Sequence, residues 1–511
     1  MFVLSCESRI MPTPPYKTVK DPVHGYIRIP RELVERFVDT EPFQRLRSVE
    51  QTSMRWLFPG GRHDRFIHSL GVFHLASRMY ESILRNTKGD DAIHGIVSAD
   101  GLKNAFLVAA LMHDCGHSPF SHTFEKFYNK SLFGGSHNSA YAALKGVVDP
   151  SAQDEFDFVS GVKKDSPPAH HEVMSAYVLL TSYASQLQAC GIDNPTLLAR
   201  MITGVQHKHS ASLQEKVEDA LIGLINGDAL DVDKLDYIVR DTWASGVKNT
   251  TIDIDRLVEG ATILRSSEGE GAMVWFAFRK SSISVVQSIL DARNYLYEWV
   301  YGHHTVLYYA EMLQRAVRDC VLTLAGADKV RADAIMRTMF SHQAFAEPQP
   351  LGEGLFEKAF QMTDGDLLGL VKRHCPDSPS YRAYARHVPM HVPVWKTGAE
   401  YRLGIDDDHR NRISGEFCAE KIRECFGYTE EQCFACDDLT MKLYDLRGYA
   451  VMVQTEEHKA QPLTKLADLP RHPHLEDESK SSLFYVFIPK AEASRAQEII
   501  DFINEIPLGG K

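Results

Sequence analysis

A histidine and an aspartate stand side by side where an apolar stretch of the sequence ends. Residues 105–112 are almost all apolar, and His113 and Asp114 follow them directly. Imidazole and carboxylate groups are good ligands for divalent metals such as Mn, Fe, Zn and Mg. Burying both groups at a helix end costs free energy unless a cation compensates the charge. The pair therefore indicates a metal site, although a helix end with a hydrogen-bonded histidine would explain the same two residues.

Two other segments carry residues of the same chemistry. His68 lies in a stretch whose apolar residues recur at helical spacing. Further along, Asp233, Tyr237 and Asp241 are four residues apart, so a helix places them on one face. A helix face that is merely exposed to solvent usually carries Lys and Glu instead. The carboxylate–phenol–carboxylate face therefore favours a functional site.

The elements that position these residues are predicted to be mainly helical. Apolar residues follow the helical period from about residue 31 to about residue 325, after a short alternating strand at 26–29. A polar stretch at 149–168 predicts a surface excursion. The sequence thus predicts one large helical body that contains all three chemistry-bearing segments.

The pattern changes beyond a proline-rich boundary at residues 347–352. Strands are predicted at 441–453 and 484–488, a helix at 491–506 and a charged loop at 475–480. The expected fold class is therefore mainly α, with a helical core and a smaller C-terminal α+β lobe. The expected division is an extended lead-in at residues 1–16, the core at 17–345 and the lobe at 346–511.

Composition limits the classes of function. The chain has 511 residues, 44% of them hydrophobic and 24% charged, which is ordinary for a globular protein. Its net charge of −12 argues against a nucleic-acid coat or a polybasic membrane binder, although a local basic pocket stays open. No apolar run approaches the roughly 20 residues of a membrane span. We expect a cytoplasmic protein with no membrane partner, and nucleic acid as a partner is not excluded.

The nine cysteines do not form the pattern of a disulfide framework. Cys433 and Cys436 are spaced as a CxxC pair. The favoured interpretation is reduced, partly buried thiols, and the alternative is a zinc knuckle.

His68, His113, Asp114 and Asp233 follow the pattern H…HD…D, and each member stands in an extended motif. These motifs are Arg65-Phe66-Ile67-His68-Ser69-Leu70-Gly71-Val72, Gly116-His117-Ser118-Pro119-Phe120-Ser121-His122 and Asp231-Val232-Asp233-Lys234-Leu235-Asp236-Tyr237. They resemble the HD superfamily of metal-dependent phosphohydrolases and, within it, the deoxynucleoside triphosphate (dNTP) triphosphohydrolases. The resemblance covers about residues 17–309.

The resemblance implies an HD-domain core and an enzyme that hydrolyses a dNTP to a deoxynucleoside and tripolyphosphate. It implies a divalent metal (Mg, Mn, Fe or Zn) on His68, His113, Asp114 and Asp233. Acid–base roles fall on His117, His122, Glu125 and His171, and imidazole suits them because its unperturbed pKa is near neutral. Glu125 stands where the family has aspartate, and it is expected to orient His122.

Substrate contacts are implied for a further group of residues, namely Gln51, Arg65, Lys234, Tyr237, Asp241, Arg293 and Tyr301. Arg65 and Lys234 would hold phosphates, since guanidinium offers a fork and ammonium a point charge. Gln51 and Asp241 would bind the 3′-hydroxyl. Tyr301 would pack under the sugar and leave no room for a 2′-hydroxyl, although core packing would also explain a tyrosine there.

A regulatory site is also implied by the resemblance. Asp39, Gln44 and Arg47 resemble residues that read a guanine, which implies activation by GTP or dGTP. Lys17, Arg256 and Arg279 would bind the phosphates of the effectors. Such sites lie between subunits in the family, so a homotetramer is implied. The alternative is that residues 43–47 form a helix of the fold with no nucleotide.

Two other functions fit the same fold. One is an HD phosphohydrolase acting on another nucleotide, such as a monophosphate or an alarmone. The other is a nucleotide-sensing module. The acid–base histidines favour an enzyme, because a sensor has no need of them.

Overall fold

The computed structural model describes residues 15–161, 167–227, 230–247, 252–266, 272–351, 361–436, 451–467 and 483–508. Helices dominate it, and the strands form small sheets, so the expected fold class is confirmed. The α-helices are, in chain order, α1 (Arg31–Leu33), α2 (Glu41–Gln44), α3 (Arg65–Asn86), α4 (Asp91–Val97), α5 (Asp100–Met112), α6 (Ser139–Val147), α7 (His170–Ser182), α8 (Ala184–Ala189), α9 (Pro195–Thr203), α10 (Leu213–Ile225), α11 (Val232–Ser245), α12 (Ile254–Glu259), α13 (Ile283–Leu296), α14 (His304–Leu324), α15 (Lys329–Met339), α16 (Asp364–His374), α17 (Pro379–Arg386), α18 (Gly398–Gly404), α19 (Asp407–Arg412), α20 (Gly415–Phe426) and α21 (Ala496–Glu505).

The strands are β1 (Tyr16–Asp21), β2 (Gly25–Pro30), β3 (Ala261–Arg265), β4 (Val274–Arg279), β5 (His391–Pro393), β6 (Phe434–Cys436), β7 (Met452–Glu456), β8 (Lys459–Pro462) and β9 (Tyr485–Pro489). Turns of π-helix lie at Val34–Val38 and Tyr297–Tyr301. Turns of 3₁₀-helix lie at Arg45–Ser48, Ser53–Trp56, Ser121–Thr123, Glu125–Tyr128, Lys280–Ser282, His342–Phe345, Leu463–Lys465 and Lys490–Arg495.

Helices α3, α5 and α11 carry the three chemistry-bearing segments and meet at the centre of the core. Helix α3 packs against both α5 and α11. It begins where Asp64 accepts a hydrogen bond from the N–H of Ile67 at 3.0 Å, and α11 begins where Asp231 accepts from the N–H of Lys234 at 2.8 Å. These caps satisfy N–H groups that a helix start leaves unpaired. They fix the first turns, in which His68 and Asp233 lie.

Most of the predicted elements are found. The strand at 26–29 lies within β2, the buried apolar run within α5, the strand at 484–488 largely within β9 and most of the helix at 491–506 within α21. The polar stretch at 149–168 has no helix or strand over its described residues, although it buries Phe156 and Phe158. The predicted loop at 475–480 and residues 441–450 of the predicted strand lie outside the described residues.

Two hairpins were not predicted. Strand β1 pairs antiparallel with β2, and β3 pairs antiparallel with β4 inside a stretch expected to be helical. Strand β4 then pairs parallel with β7, and β8 completes a sheet in the order β3-β4-β7-β8. A second sheet has the order β5-β9-β6. Strands from both sides of the predicted boundary at 346 therefore share one sheet.

No single helix in the described ranges combines the length and the apolar character needed to cross a membrane. Helices α4 and α5 meet the criterion only as a pair, and a bend of 58° separates them.

Candidate metal centre and active site

The atoms of the four predicted ligands converge between α3, the end of α5 and α11. His68 Nε2 lies 3.0 Å from Asp233 Oδ1 and 3.5 Å from Asp114 Oδ2. His113 Nε2 lies 3.5 Å from Asp114 Oδ1 and 3.7 Å from Asp233 Oδ1. His68, His113 and Asp114 are buried, while Asp233 keeps 34% of its side chain exposed. The cluster thus has one side open to solvent.

Unpaired nitrogens indicate what this cluster is built to hold. Within the described part of the chain, the buried Nε2 atoms of His68 and His113 have no well-aligned hydrogen-bond partner. Both Nδ1 atoms are occupied, by Asp236 Oδ2 at 2.7 Å and by the carbonyl of Ala110 at 2.9 Å. Two imidazole nitrogens and two carboxylates that face one another are a ligand set for a divalent cation. The residues present therefore fit the metal that the motif predicts.

The charges of the cluster are mutually dependent. Burial would raise the pKa of Asp114, but the positive charges of Arg65, His113 and His68 together hold it below its usual value. Burial would lower the pKa of His68, but the carboxylates of Asp233 and Asp236 raise it to about 9. An excess of carboxylate around His68 thus favours a positive charge at this place, whether a proton or a metal ion.

Asp236 holds the ring of His68 in place and was not among the predicted site residues. Its carboxylate is fully buried and accepts from Arg240 Nε at 2.8 Å as well as from His68 Nδ1. Partners of this kind fix the orientation of a ligating histidine and raise its basicity. Asp236 lies one helical turn after Asp233, so α11 supplies both a proposed ligand and the support of another.

The side chains of Asp236 and Arg240 occupy the space beside Gly71 on α3, where any other residue would carry a Cβ. A Cβ at Gly71 would lie 1.9 Å from Asp236 Oδ1 and 2.5 Å from Arg240 Nη2, both on α11. We expect Gly71→Ala to lower the free energy of unfolding by about 1–3 kcal/mol, because overpacking outweighs the gain in helix propensity. Gly95→Ala is the control, since a Cβ there meets nothing within 4 Å on an exposed helix position. Urea unfolding checks both, and a Gly71→Ala protein as stable as the Gly95→Ala protein would contradict the packing.

Arg65 joins the metal cluster to three neighbouring segments. Its guanidinium donates to Asp114 Oδ2 at 2.8 Å, to Ser121 Oγ at 2.9 Å and to the carbonyl of Gln51 at 3.0 Å. The side chain is buried. Before any phosphate binds, the guanidinium of Arg65 is therefore already aligned by protein partners.

The loop after the metal ligands has an unusual backbone. Phe120 and Ser121 have φ values of 55° and 49°, in the left-handed region that non-glycine residues rarely adopt. Asp364 stabilises this loop by accepting from the N–H of Phe120 at 2.6 Å and from the N–H of Glu50 at 2.9 Å. A carboxylate from beyond residue 346 thus anchors two segments of the site.

A second cluster adjoins the first. Glu125 lies between two imidazoles, with Oε1 3.0 Å from His122 Nδ1 and Oε2 2.5 Å from His171 Nδ1. His117 stacks on His171 with ring centroids 4.0 Å apart, and its Nε2 lies 3.4 Å from Asp114 Oδ1. All four predicted acid–base residues are therefore brought together, and Glu125 contacts His171 as well as His122.

Glu125 determines the protonation of His171. Burial would raise its own pKa, but His122 and His171 hold it well below the usual value. Burial would lower the pKa of His171, but Glu125 raises it to about 9, so His171 is an imidazolium at neutral pH. The pKa of His117 is well below its usual value because of burial and of Arg65 nearby, so His117 is neutral. The cluster therefore contains both a protonated and an unprotonated imidazole.

The residues predicted to select the sugar lie on the other side of Arg65. Tyr301 donates to Asp241 Oδ2, and His63 Nε2 lies 2.6 Å from Asp241 Oδ1. The carbonyl of His63 accepts from the N–H of Gln51 at 3.1 Å. In the described ranges the buried Oε1 of Gln51 has no hydrogen-bond partner. These contacts form a continuous path from Tyr301 to Gln51, whose carbonyl accepts from Arg65.

The remaining substrate residues lie around this path. The rings of Tyr237 and Tyr301 are 6.4 Å apart. Lys234 Nζ donates to the carbonyl of Gly227 at 2.8 Å and to Asp231. Arg293 lies over the ring of Tyr297 at 4.1 Å, and Tyr297 packs edge-on against Tyr301 at 5.2 Å. Tyr297 therefore lies between Arg293 and Tyr301.

The sequence comparison identifies the segment that carries this centre. Residues 65–147 match the family model described as the HD domain. The chain contains an HD domain. The match includes His68, His113 and Asp114, together with three of the four acid–base residues, whereas Asp233 and His171 follow it in the chain.

The chain is similar to a protein named for its activity and to an uncharacterized one. The chain is 28% identical over 335 residues to the deoxynucleoside triphosphate triphosphohydrolase SAMHD1 of Gallus gallus, covering 64% of this chain and 49% of that protein. It is 25% identical over 288 residues to an uncharacterized Bacillus subtilis protein, YwfO, covering 56% of this chain and 52% of that one. The aligned region thus spans about half the length of these curated relatives.

A solved structure resembles nearly the whole chain. A phosphohydrolase from Bacteroides thetaiotaomicron superimposes with a TM-score of 0.59 and 20% sequence identity, covering 93% of this chain and 99% of that one. At this identity the likeness concerns the fold. The HD domain and the segments on either side of it therefore follow an arrangement found in another protein.

The predicted effector residues fall into two groups in the structure. Lys17 Nζ lies 3.2 Å from Asp39 Oδ1, and Arg47 donates to Gln44 Oε1 at 2.9 Å while lying 3.4 Å over the ring of Phe66. The other two are Arg256 on α12 and Arg279 at the end of β4. Across the described ranges no hydrogen bond or ion pair joins these two to the first group.

The CxxC pair lies outside the HD domain, in and beside β6. Cys433 is buried, and its thiol donates to the carbonyl of Ala419 at 3.9 Å. Burial raises the pKa of the Cys433 thiol to about 12. Clusters of three or more metal-ligating residues in the described part of the chain contain neither cysteine. The interpretation as reduced thiols stays a prediction.

Several residues that shape the site were missed by the sequence analysis. They are His63 beside Asp241, Asp236 and Arg240 behind His68, and Asp21 and His24 from the β1–β2 turn. Asp236 is part of the motif at 231–237, and its position one helical turn after Asp233 could have indicated a role beside that ligand. Arg240 lies four residues after Asp236 on α11, a spacing at which an ion pair is common. The contacts of His63, Asp21 and His24 had no local signal, because they join segments far apart in the chain.

Proposed function

We propose that this protein is a metal-dependent hydrolase of dNTPs that releases a deoxynucleoside and tripolyphosphate. The observation that carries the proposal is the continuous path from Tyr301 and Asp241 through His63 and Gln51 to Arg65 and Asp114. This path supports a single site that contains the candidate sugar contacts, the candidate phosphate contact and the candidate metal ligands. The relative named as a dNTP triphosphohydrolase supports the same substrate class.

The proposed roles follow from the geometry. A divalent cation held by His68, His113, Asp114 and Asp233 would polarise the α-phosphate and activate a water molecule. Arg65, aligned by Gln51 and Ser121, holds a phosphate oxygen. Lys234 and Tyr237 supply further donors along the triphosphate.

Proton transfer is assigned to the second cluster. Glu125 holds the Nδ1 side of both His122 and His171, which leaves the Nε2 side of each ring for proton transfer. His122 Nε2 lies 3.3 Å from Arg65 Nη2 and its side chain is 59% exposed, so it faces the open side of the site. In the proposal this pair protonates the 5′-oxygen that leaves the α-phosphorus.

Product analysis over a substrate panel tests the proposal. The protein is incubated with Mn²⁺ or Mg²⁺ and each of the four dNTPs, deoxynucleoside monophosphates and an alarmone. We expect tripolyphosphate from dNTPs. Orthophosphate or pyrophosphate from another substrate, with no tripolyphosphate from any dNTP, would instead support the alternative HD phosphohydrolase.

Tyr301 is predicted to enforce deoxyribose. Tyr301→Ala opens space near C2′ and is expected to raise ribonucleotide hydrolysis relative to deoxyribonucleotide hydrolysis by about tenfold or more. Tyr301→Phe keeps the ring but loses the hydrogen bond to Asp241, so it should keep the preference for deoxyribose. Rates on ATP and dATP give the ratio. An unchanged ratio in Tyr301→Ala would contradict a steric role.

Regulation by a guanine nucleotide is the second part of the proposal. If Asp39, Gln44 and Arg47 read guanine between subunits of a homotetramer, GTP or dGTP should promote assembly and speed hydrolysis of dATP. Asp39→Ala leaves guanine donors unpaired, at a cost of about 1–3 kcal/mol. Activation should then need roughly tenfold more effector, since about 1.4 kcal/mol is a factor of ten.

The control for Asp39→Ala is Glu41→Ala, which removes a nearby exposed carboxylate from the start of α2. Hydrolysis of dATP is measured against GTP concentration, with sedimentation in parallel. A wild-type protein that is equally active and equally assembled without guanine nucleotide would refute the regulatory part and leave the hydrolase part intact.

A further inference from the structure

The turn of the β1–β2 hairpin reaches the back of the metal cluster. His24 Nε2 lies 2.6 Å from Asp236 Oδ1, across 212 positions of sequence. Asp21 Oδ2 accepts from Arg240 Nη2 at 2.8 Å. Asp21 and Asp236 are fully buried, and 6% of the His24 side chain is exposed. The hairpin, which precedes the HD domain, therefore makes buried polar contacts with the group that holds His68.

The turn itself has a defined shape. Asp21 pairs with Gly25 in the strand register, and Asp21 Oδ1 accepts from the N–H of Val23 at 2.7 Å. Gly25 has a φ of 77°, which a glycine adopts without strain. Pro22 restricts the backbone further. A turn with this internal bonding presents His24 and Asp21 in fixed positions.

Four hydrogen bonds hold the Asp236 carboxylate in one orientation. Oδ2 accepts from His68 Nδ1 and Arg240 Nε, and Oδ1 accepts from His24 Nε2 and Arg240 Nη2 at 2.9 Å. His24 therefore supplies one of the two bonds on Oδ1. Of the other three bonds, Arg240 supplies two and His68 supplies one, and Asp21 fixes the Arg240 guanidinium. Losing either the His24 contact or the Asp21 contact would hold the Asp236 carboxylate, and with it the ring of His68, less firmly.

We propose that the β1–β2 turn positions the metal ligand His68 through Asp236, with His24 and Asp21 as positioning residues. This inference rests on the metal centre of the proposed function and not on its substrate. Outer partners of metal-ligating histidines typically contribute ten- to a hundredfold to metal affinity. The hairpin is thus part of the metal site although it lies far from it in sequence.

Metal binding to the intact protein tests the inference without any substrate. Metal-free wild-type protein and its His24→Ala variant are titrated with Mn²⁺, and the visible absorption of the Co²⁺-loaded proteins is recorded. We expect His24→Ala to bind Mn²⁺ about tenfold more weakly and to shift the Co²⁺ bands. The control is His74→Ala, because His74 packs on the His24 ring at 5.5 Å and lies outside the Asp236 bonds. A His24→Ala protein with Mn²⁺ affinity within twofold of wild type and an unchanged Co²⁺ spectrum would overturn the inference.

A second pair of variants keeps the test valid if His24→Ala does not fold. His24→Gln places an amide N–H where Nε2 stood and should bind Mn²⁺ nearly as wild type does. His24→Asn is one bond shorter and should bind about tenfold more weakly. Equal affinities of these two proteins would overturn the positioning role.

The outcomes separate this inference from the proposed function. A wild-type protein that binds no Mn²⁺ or Co²⁺ would defeat the metal centre itself. A wild-type protein that binds the metals, with His24→Ala and His24→Asn binding them equally well, would defeat only the role of the hairpin. Failure to hydrolyse dNTPs changes neither readout.

Discussion

The double variant His113→Ala, Asp114→Ala is expected to lose its bound divalent metal and its hydrolytic activity together. Two of four proposed ligands disappear, and a catalytic site that keeps an open position has none to spare. Metal content by elemental analysis and tripolyphosphate release are measured on the same preparation. Full activity or an unchanged metal content in the double variant would contradict the assignment of the ligands.

The stability of this variant needs its own control. Asp114 pairs with buried Arg65 at 2.8 Å, so its removal leaves a buried guanidinium short of its counter-charge. Breaking such a pair costs about 3–5 kcal/mol. His113→Ala with Asp114→Asn keeps an acceptor for Arg65 and is the variant of choice if the first one unfolds. Cys115→Ala, in the same turn but away from the ligand atoms, should retain metal and activity.

Glu125→Gln is expected to reduce the rate by roughly a hundredfold or more while the metal stays bound. Positioned acid–base groups contribute about 10²–10⁴ to the rate. A glutamine can accept from only one of the two imidazoles that Glu125 holds, so His122 and His171 lose their common partner. A rate within threefold of wild type would contradict the role of this cluster.

The same substitution makes a prediction about pH. The pKa of His171 is about 9 because nearby carboxylates, Glu125 first, outweigh burial, and in Glu125→Gln it should fall toward the ordinary 6.5. A folded-state pKa raised above the unfolded value adds stability that is complete below about pH 6.5 and lost as the pH rises through about 9. The free energy of unfolding of the wild-type protein should therefore fall between about pH 6.5 and about pH 9 as His171 loses its proton. The Glu125→Gln protein should not show this loss. Histidine NMR titration, with Glu172→Gln as the control for a neighbouring charge, checks the pKa.

The sequence predicted the parts of the site that depend on local pattern. An apolar run followed by His113 and Asp114 predicted a buried helix end, and α5 ends there. The spacing of Asp233, Tyr237 and Asp241 predicted one helix face, and α11 carries all three. Chemical roles for these residues remain predictions that the variants above test.

A glycine close after a helix end, such as Gly116 after α5, commonly permits a tight exit from the helix with a left-handed backbone. In the structure the φ of Gly116 is not in the left-handed region. The requirement comes instead from close packing, because a Cβ at Gly116 would lie 2.4 Å from the backbone nitrogen of Ser175 on α7. Such a constraint depends on a helix that arrives sixty residues later, so it had no local signature.

Long-range contacts account for what the sequence did not predict. Strand β4 lies in a stretch expected to be helical, and it pairs with β7, far along the chain. Asp364 reaches back to Phe120 and Glu50, and His24 reaches forward to Asp236. Each of these residues gains its role from a partner that composition and periodicity do not identify.

The central claim is that water attacks the α-phosphorus of a dNTP at the metal cluster and the 5′-oxygen leaves with a proton from the second cluster. The most direct measurement is hydrolysis of dATP in ¹⁸O-labelled water, followed by mass spectrometry of both products. Attack at the α-phosphorus predicts one ¹⁸O atom in tripolyphosphate and none in deoxyadenosine. Deoxyadenosine that carries the label, or dADP with labelled orthophosphate, would contradict the account.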